Sequence, residues 1–364
     1  MSGGAAGSIA RAMSGGVADP LGPITTVDYH TGGEPFRIVT SGVSPLDGGT
    51  VLERRAWAAA NLEPVRHLVV DEPRGHADMY GCFVTPPNDG EADLGVVFFH
   101  NEGYSTACGH GTIALVTWAI ESGLVPGPVV IVDAPSGRLP CMARLDDDGR
   151  VLDVRFDNVP SFALALDVRV PTSRGALTLD IGFGGAFYGS LDVRTIGLRV
   201  EPRALPELIA LQRELRPALE AAVDVVHPLE PELRGIYGVI FWEPLDDESG
   251  ADDESGTDAA GGKVGVEHRN VTVFADGEVD RSPCGSGTSE RLAIRHARGE
   301  HAPGDPFTHR SIVDSVFEAG ISGTTVVAGI PAVATWVRGS AFKTGEHTFL
   351  FDPRDPLGTG FLLR

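Results

Sequence analysis

The chain has 364 residues, 42% hydrophobic and 22% charged, the balance of an ordinary soluble globular protein with room for two domains. Its 50 acidic and 29 basic side chains leave a net charge of −21, a field that repels phosphate backbones and anionic membranes and so speaks against nucleic-acid and membrane-surface partners. There is no apolar stretch of about 20 residues and no signal-peptide core, so a cytoplasmic protein is expected.

In chain order, residues 1–22 are rich in Gly, Ala and Ser, lack a periodic apolar pattern, and read as a disordered leader. Ordered sequence begins with the β-rich Ile24-Thr25-Thr26-Val27 and the turn signal Thr31-Gly32-Gly33. Strand-like runs follow at 37–40, 82–84 and 95–99. Residues 52–62 predict a helix that Pro64 should end. From Gly109 to Ser122 the sequence is apolar all round, with Ile113, Leu115, Val116, Trp118 and Ile120 before the closing Gly123. A helix with no polar face must be buried on every side. Strands are predicted at 129–132, 151–156, 178–181 and 186–188, then a helical region over 206–223 with a break or kink at Pro217. Further strands run up to Val273-Phe274. Within them, residues 246–262 repeat Asp-Asp-Glu-Ser-Gly and cannot bury enough apolar area to offset their ordering entropy, so they read as a flexible acidic insert.

The four cysteines show no CxxC spacing and suggest neither a disulfide framework nor a metal or redox pair. Cys82 and Cys141 read as small buried hydrophobes. Cys108 and Cys284 differ. Ala107-Cys108-Gly109-His110-Gly111-Thr112 and Pro283-Cys284-Gly285-Ser286-Gly287-Thr288 share the pattern Cys-Gly-x-Gly-Thr, 176 residues apart. Each copy follows a strand-like run and opens a helix, the second over 289–297 with Gly299 as its stop. The simplest reading is a duplicated unit. Two domains would each present a cysteine at a helix N-terminus, and both thiols would point into a cleft if the halves face each other.

Helix N-termini carry unpaired N–H groups and about half a positive charge, which favours a thiolate and can hold a carboxylate. Two such thiols around one carboxylate-bearing carbon suit a two-base racemase. One removes the α-proton, the other returns a proton from the opposite face, and helix-end amides hold the charge that develops. A pyridoxal route needs a Schiff-base lysine. Only Lys263 and Lys343 are present, neither with a supporting motif, so no cofactor and no metal are expected. A cysteine hydrolase built on Cys108 and His110 would leave the repeated cysteine without a role. In this setting His110 is expected to face the ligand, and Asp280 either pairs with Arg281 or receives a substrate ammonium group.

At these residues the chain resembles the proline racemase family, which includes hydroxyproline 2-epimerases and trans-3-hydroxy-L-proline dehydratases. The blocks are Asp28-Tyr29-His30-Thr31-Gly32-Gly33-Glu34-Pro35, then Glu72-Pro73-Arg74-Gly75-His76-Ala77-Asp78-Met79-Tyr80-Gly81, then Asn101-Glu102-Gly103-Tyr104 leading into the first cysteine motif. Gly184-Gly185-Ala186-Phe187-Tyr188 and Asp280-Arg281-Ser282-Pro283-Cys284-Gly285-Ser286-Gly287-Thr288-Ser289 complete the order. The resemblance implies an α+β, diaminopimelate-epimerase-like fold: two pseudo-symmetric α/β domains, each with a sheet wrapped around a central helix, and an active site in the cleft between them. The expected halves are 23–158, joined by residues from about 345 to 364, and 159–344. Cys108 and Cys284 are the implied catalytic pair, with Gly109, His110, Asp280, Gly285 and Ser286 as substrate-binding residues. A proline or hydroxyproline substrate and a homodimer are implied as well. Both cysteines are present, as the two-base reaction requires, whereas His100-Asn101-Glu102-Gly103-Tyr104-Ser105 and the closing Asp355-Pro356-Leu357 look closer to the dehydratase branch. Epimerisation or racemisation is the leading expectation and dehydration of trans-3-hydroxy-L-proline the alternative. Ala107 stands where Met is common in the family.

Overall fold

A computed structural model describes residues 22–245 and 265–363. The 246–262 insert and, Gly22 apart, the 1–22 leader lie outside the described residues. In chain order the elements are β1 (Ile24–Thr31), β2 (Glu34–Ser41), α1 (Val51–Asn61), α2 (Glu63–Val70), β3 (Tyr80–Thr85), β4 (Leu94–His100) and α3 (Gly109–Glu121). Next come β5 (Val129–Ala134), β6 (Gly137–Leu145), β7 (Val151–Asp157), β8 (Phe162–Thr172), β9 (Gly175–Phe183), β10 (Phe187–Asp192) and α4 (Leu205–Ala222). The chain closes with β11 (Ile236–Pro244), β12 (Val266–Phe274), β13 (Glu278–Asp280), α5 (Gly285–Ala297), β14 (Phe307–Ser311), β15 (Val316–Val327), β16 (Ile330–Gly339) and β17 (Ala341–Phe349).

Several boundaries follow from local chemistry. Thr50 and Glu53 form a reciprocal capping box that starts α1. Pro64 does not simply end that helix. It sits in the first turn of α2, where its missing N–H costs nothing. Pro217 likewise lies inside a continuous α4, so the expected break is absent. Both strands β3 and β4 are buried along their whole length, as strands covered on two faces must be.

The chain divides into two compact units, Met1–Phe156 with Gly339–Arg364, and Asp157–Arg338. In the first, the strand order is β17-β1-β2-β3-β4-β5-β6-β7, antiparallel throughout except at β2–β3 and β4–β5. In the second it is β8-β9-β10-β11-β12-β14-β15-β16, antiparallel except at β10–β11 and β12–β14. The parallel pairings fall at the same two junctions of each sheet. Parallel neighbours need a crossover connection. In the first unit α3 lies on the connection from β4 to β5, and in the second α5 lies on that from β12 to β14. The five-residue sequence echo therefore marks the same point in two sheets of one topology.

Each of these helices is central to its unit. α3 touches β17, β1, β2, β3 and β6, strands from opposite ends of the order, so the sheet curls around it. Its first nine residues are all buried. α5 touches β8, β9, β10 and β15, and its first ten residues are buried. Helices α1 and α2 pack against β4, with Val51, Ala58, Val65, Leu68 and Val69 meeting Phe83, Val97 and Phe99 in one apolar cluster. α4 covers β8, β10, β11 and β12. Among the described residues, no helix is long and apolar enough to cross a membrane.

Candidate active site

In the first unit, Cys108 is the N-cap of α3 in an extended conformation, φ −154° and ψ 98°. Its Sγ accepts from the Gly111 backbone N–H at 3.3 Å, so the thiol fills the place a Ser or Asp would take at a helix start. His110 Nε2 lies 3.4 Å from the same sulfur. The imidazole stands edge-on to the Phe36 and Tyr80 rings, with centroids 5.7 and 5.0 Å away. Burial in that aromatic cage pulls its pKa down to about 3, so the ring is neutral at physiological pH. Thr31 Oγ1 donates to the His110 carbonyl at 3.0 Å, fixing the first turn to β1. Gly111 must be glycine: a Cβ there would come within 2.4 Å of the Phe36 ring and 2.7 Å of Cys108 Sγ.

In the second unit, Cys284 is the N-cap of α5, but with φ +62° and ψ 100°. This backbone region is costly for a residue with a side chain, by about 1–3 kcal/mol, and such strain gathers at functional sites. A set of hydrogen bonds holds it. Cys284 N–H donates to Ser282 Oγ at 3.1 Å and Ser282 N–H to Asp280 Oδ1 at 2.8 Å. Asn270 Nδ2 donates to the Pro283 carbonyl at 3.0 Å. Around the sulfur, Tyr188 Oη and Ser286 Oγ each lie 3.9 Å away and 2.7 Å from each other. A Cβ at Gly287 would meet Ile240 at 2.8 Å and Cys284 Sγ at 3.0 Å.

The Cys284 thiol is held well above the ordinary thiol range. Burial pushes the Cys284 thiol up to about 12, and the Asp280 charge adds to the effect. The Thr272 and Ser286 hydroxyls and the Gly287 amide only partly offset it. The lowered thiol pKa expected at a helix N-terminus is thus overridden here, because loss of water and a neighbouring carboxylate outweigh the helix end. Asp280 is itself raised to about 6 by burial, against hydrogen bonds from Ser282 and Cys284. None of the four cysteines is in a disulfide, and Cys82 and Cys141 are packed in the interior at 0% and 2% exposure.

The first unit thus gathers Cys108, Gly109 and His110 at one helix start, and the second gathers Asp280, Cys284, Gly285 and Ser286 at the other. Phe36, Tyr80, Tyr188, Asn270 and Ser282 were not singled out from the sequence. They reach the two cysteine motifs from strands or turns, and only Ser282 lies near enough in the chain to be noticed. Among the described residues, no group of three His, Cys, Asp or Glu side chains is arranged to hold a metal ion.

The proline racemase family model matches residues 26–362. The chain belongs to the proline racemase family. A trans-3-hydroxy-L-proline dehydratase of Bacillus cereus is 44% identical over 343 residues, 93% of this chain and 98% of the relative. A 3-hydroxyproline 2-epimerase of Burkholderia multivorans is 44% identical over 347 residues, 94% and 98% of the two chains. Among solved structures, a hydroxyproline epimerase from Agrobacterium vitis with bound trans-4-hydroxy-L-proline is 33% identical, with a TM-score of 0.82 over 94% of this chain and 96% of that one. The fold is the diaminopimelate-epimerase-like fold, and the enzymes of the family are isomerases or a hydro-lyase.

Proposed function

We propose that the protein is a cofactor-independent epimerase or racemase that inverts the α-carbon of proline or a hydroxyproline, with Cys108 and Cys284 as its two proton-transfer groups. One observation carries the reading: a cysteine caps the buried central helix at the same topological position of both units. Inversion needs one base and one acid on opposite faces of the carbon, and this chain has supplied each equivalent helix with the same acid–base group. The N–H groups of Gly109 and Gly285, in the first turns of those helices, bind the carboxylate and the enolate-like charge that forms as the α-proton leaves. His110, neutral, orients at the Cys108 sulfur.

Asp280 receives the substrate ammonium. That role also bears on the charge state of Cys284. A thiolate at Cys284 is disfavoured partly by the adjacent carboxylate, and a cation placed on Asp280 cancels that field. Substrate binding thereby eases the ionisation that the reaction needs. Ser286 completes the polar wall beside the sulfur. The homodimer and the cytoplasmic location belong to the same proposal.

A second reading is favoured by the relatives' names. Dehydration of trans-3-hydroxy-L-proline shares the first step, α-proton removal by one thiolate. The paths part when the carbanion either takes a proton on its other face or expels the β-hydroxyl as water. NMR in D₂O with reduced enzyme and L-proline, trans-4-hydroxy-L-proline and trans-3-hydroxy-L-proline separates them. Loss of the α-proton signal with growth of the epimer supports inversion and identifies the substrate. Conversion of the 3-hydroxy compound alone, to a cyclic imine, establishes the dehydratase instead.

A further inference from the structure

The two cysteine environments have the same plan and different chemistry. In each motif the residue two positions after the cysteine turns back toward the sulfur: His110 in the first unit, Ser286 in the second. An aromatic side chain touches that residue in both units. Phe36, on β2, packs edge-on against the His110 ring. Tyr188, on β10, hydrogen-bonds Ser286. β2 and β10 occupy the same place in their sheets, each forming the first parallel junction. Each aromatic stands three residues after a positive-φ glycine, Gly33 or Gly185. The first unit thus pairs an aromatic with an imidazole, and the second pairs a phenol with a hydroxyl.

The difference bears on the sulfur. Tyr188 is 1% exposed and Ser286 3%, so their hydroxyls are held out of water. The 2.7 Å bond between them consumes one hydroxyl hydrogen. With Tyr188 donating to Ser286, the Ser286 hydroxyl hydrogen is left to be donated to Sγ 3.9 Å away, while the thiol itself points at Tyr188 Oη. The Ser286 donation favours the thiolate over the thiol. The Tyr188 ring is fixed by the perpendicular Tyr237 ring at 5.8 Å, and Tyr237 stacks on Phe274. Ala186, Tyr188, Ile240 and Cys284 form one buried cluster with Tyr237 and Trp242 packed against it. The hydroxyl pair acts on Cys284 Sγ alongside the Thr272 hydroxyl and the Gly287 amide.

We propose that Tyr188 is a positioning residue for Cys284, holding Ser286 so that the two hydroxyls present a single hydrogen-bond donor to Sγ, the counterpart in the second unit of the Phe36–His110 pair at Cys108. The proposal rests on the proton-transfer role given to Cys284 above. It predicts that the two thiols answer to different neighbours and can be tuned one at a time.

The test is Tyr188→Phe, which removes one oxygen from a packed ring. Rates of iodoacetamide labelling are followed against pH for Cys108 and Cys284 separately, by peptide mass spectrometry. The Cys284 profile should move to higher pH by about one unit or more while that of Cys108 stays in place. Turnover should fall about tenfold with KM within twofold. Ser286→Ala should give the same Cys284 shift, and the double variant should add little, because either change breaks the same pair. If Tyr188→Phe does not fold, Ser286→Ala carries the labelling test alone. Coincident Cys284 profiles in a folded variant and wild type overturn the proposal, whatever happens to activity. A shifted Cys284 profile with unchanged turnover leaves the positioning role standing and overturns the proton-transfer role of Cys284.

Discussion

Replacing Asp280 with Asn should make the ligand-free protein more stable and the enzyme worse. The carboxyl is 5% exposed and its pKa is raised from the ordinary 3.8 to about 6, chiefly by burial. A folded-state pKa above the unfolded one means that the folded protein holds the proton more tightly. The resulting stabilisation is complete below pH 4 and is lost as pH rises through 6. The interval from 3.8 to about 6 corresponds to about 3 kcal/mol at most, at 1.36 kcal/mol per unit. Asparagine keeps an oxygen for the Ser282 N–H and cannot ionise. The stability difference between variant and wild type should therefore grow in the variant's favour by about 2 kcal/mol between pH 4.5 and 8. Urea unfolding at closely spaced pH values, without ligand, reads this directly. The same change removes a charge that holds the Cys284 thiol up, so Cys284 should be alkylated faster at fixed pH. Turnover should fall at least tenfold for want of an ammonium partner. A stability difference that is flat from pH 4.5 to 8 would refute the reasoning, since it would mean that Asp280 is not desolvated in the folded protein.

Three further outcomes follow from the same geometry. Gly111→Ala forces a methyl against Phe36 and Cys108 Sγ and should cost about 1–3 kcal/mol in unfolding experiments despite alanine's better helix propensity. Gly90→Ala, where a Cβ meets nothing within 4 Å, is the control and should stay within about 0.5 kcal/mol of wild type; equal stability of the two variants would contradict the close packing. His110, its pKa pulled down to about 3 by burial, should show flat imidazole ¹⁵N shifts from pH 5.5 to 8.5, and a midpoint near 6.5 would place the ring in water. Cys82 and Cys141 should escape iodoacetamide in the native protein, because both are buried and burial pushes the Cys82 thiol well up; labelling of Cys82 at the rate of Cys108 would contradict this.

What could be read from the sequence was local. The echo at Cys108 and Cys284 was visible because five consecutive residues carry it, and α3 because its apolar residues leave no polar face. α2 was hidden by Pro64, which reads as a stop and serves as a start. The strand β17 was missed because Phe342, Lys343, Glu346 and His347 keep one edge of the first unit exposed and polar, without a clean alternation. The burial of Glu290 and Arg291 in α5 was equally illegible, since adjacent charges ordinarily mark a solvated helix face. At the site, the contacts that brace the cysteine motifs from neighbouring strands span long stretches of chain. Tyr188 and Ser286 are 98 residues apart, and only the sheet order brings them together. The sequence likewise suggested an activated thiol at each helix start, and it could not reveal the desolvation that reverses the effect at Cys284.

The most direct test of the central claim is α-proton exchange and inversion by Cys108→Ser and Cys284→Ser in D₂O, with the substrate the wild type accepts. If the two thiols serve opposite faces of one carbon, each single variant loses inversion by at least a thousandfold while binding of pyrrole-2-carboxylate persists. Full inversion by either variant would contradict the account.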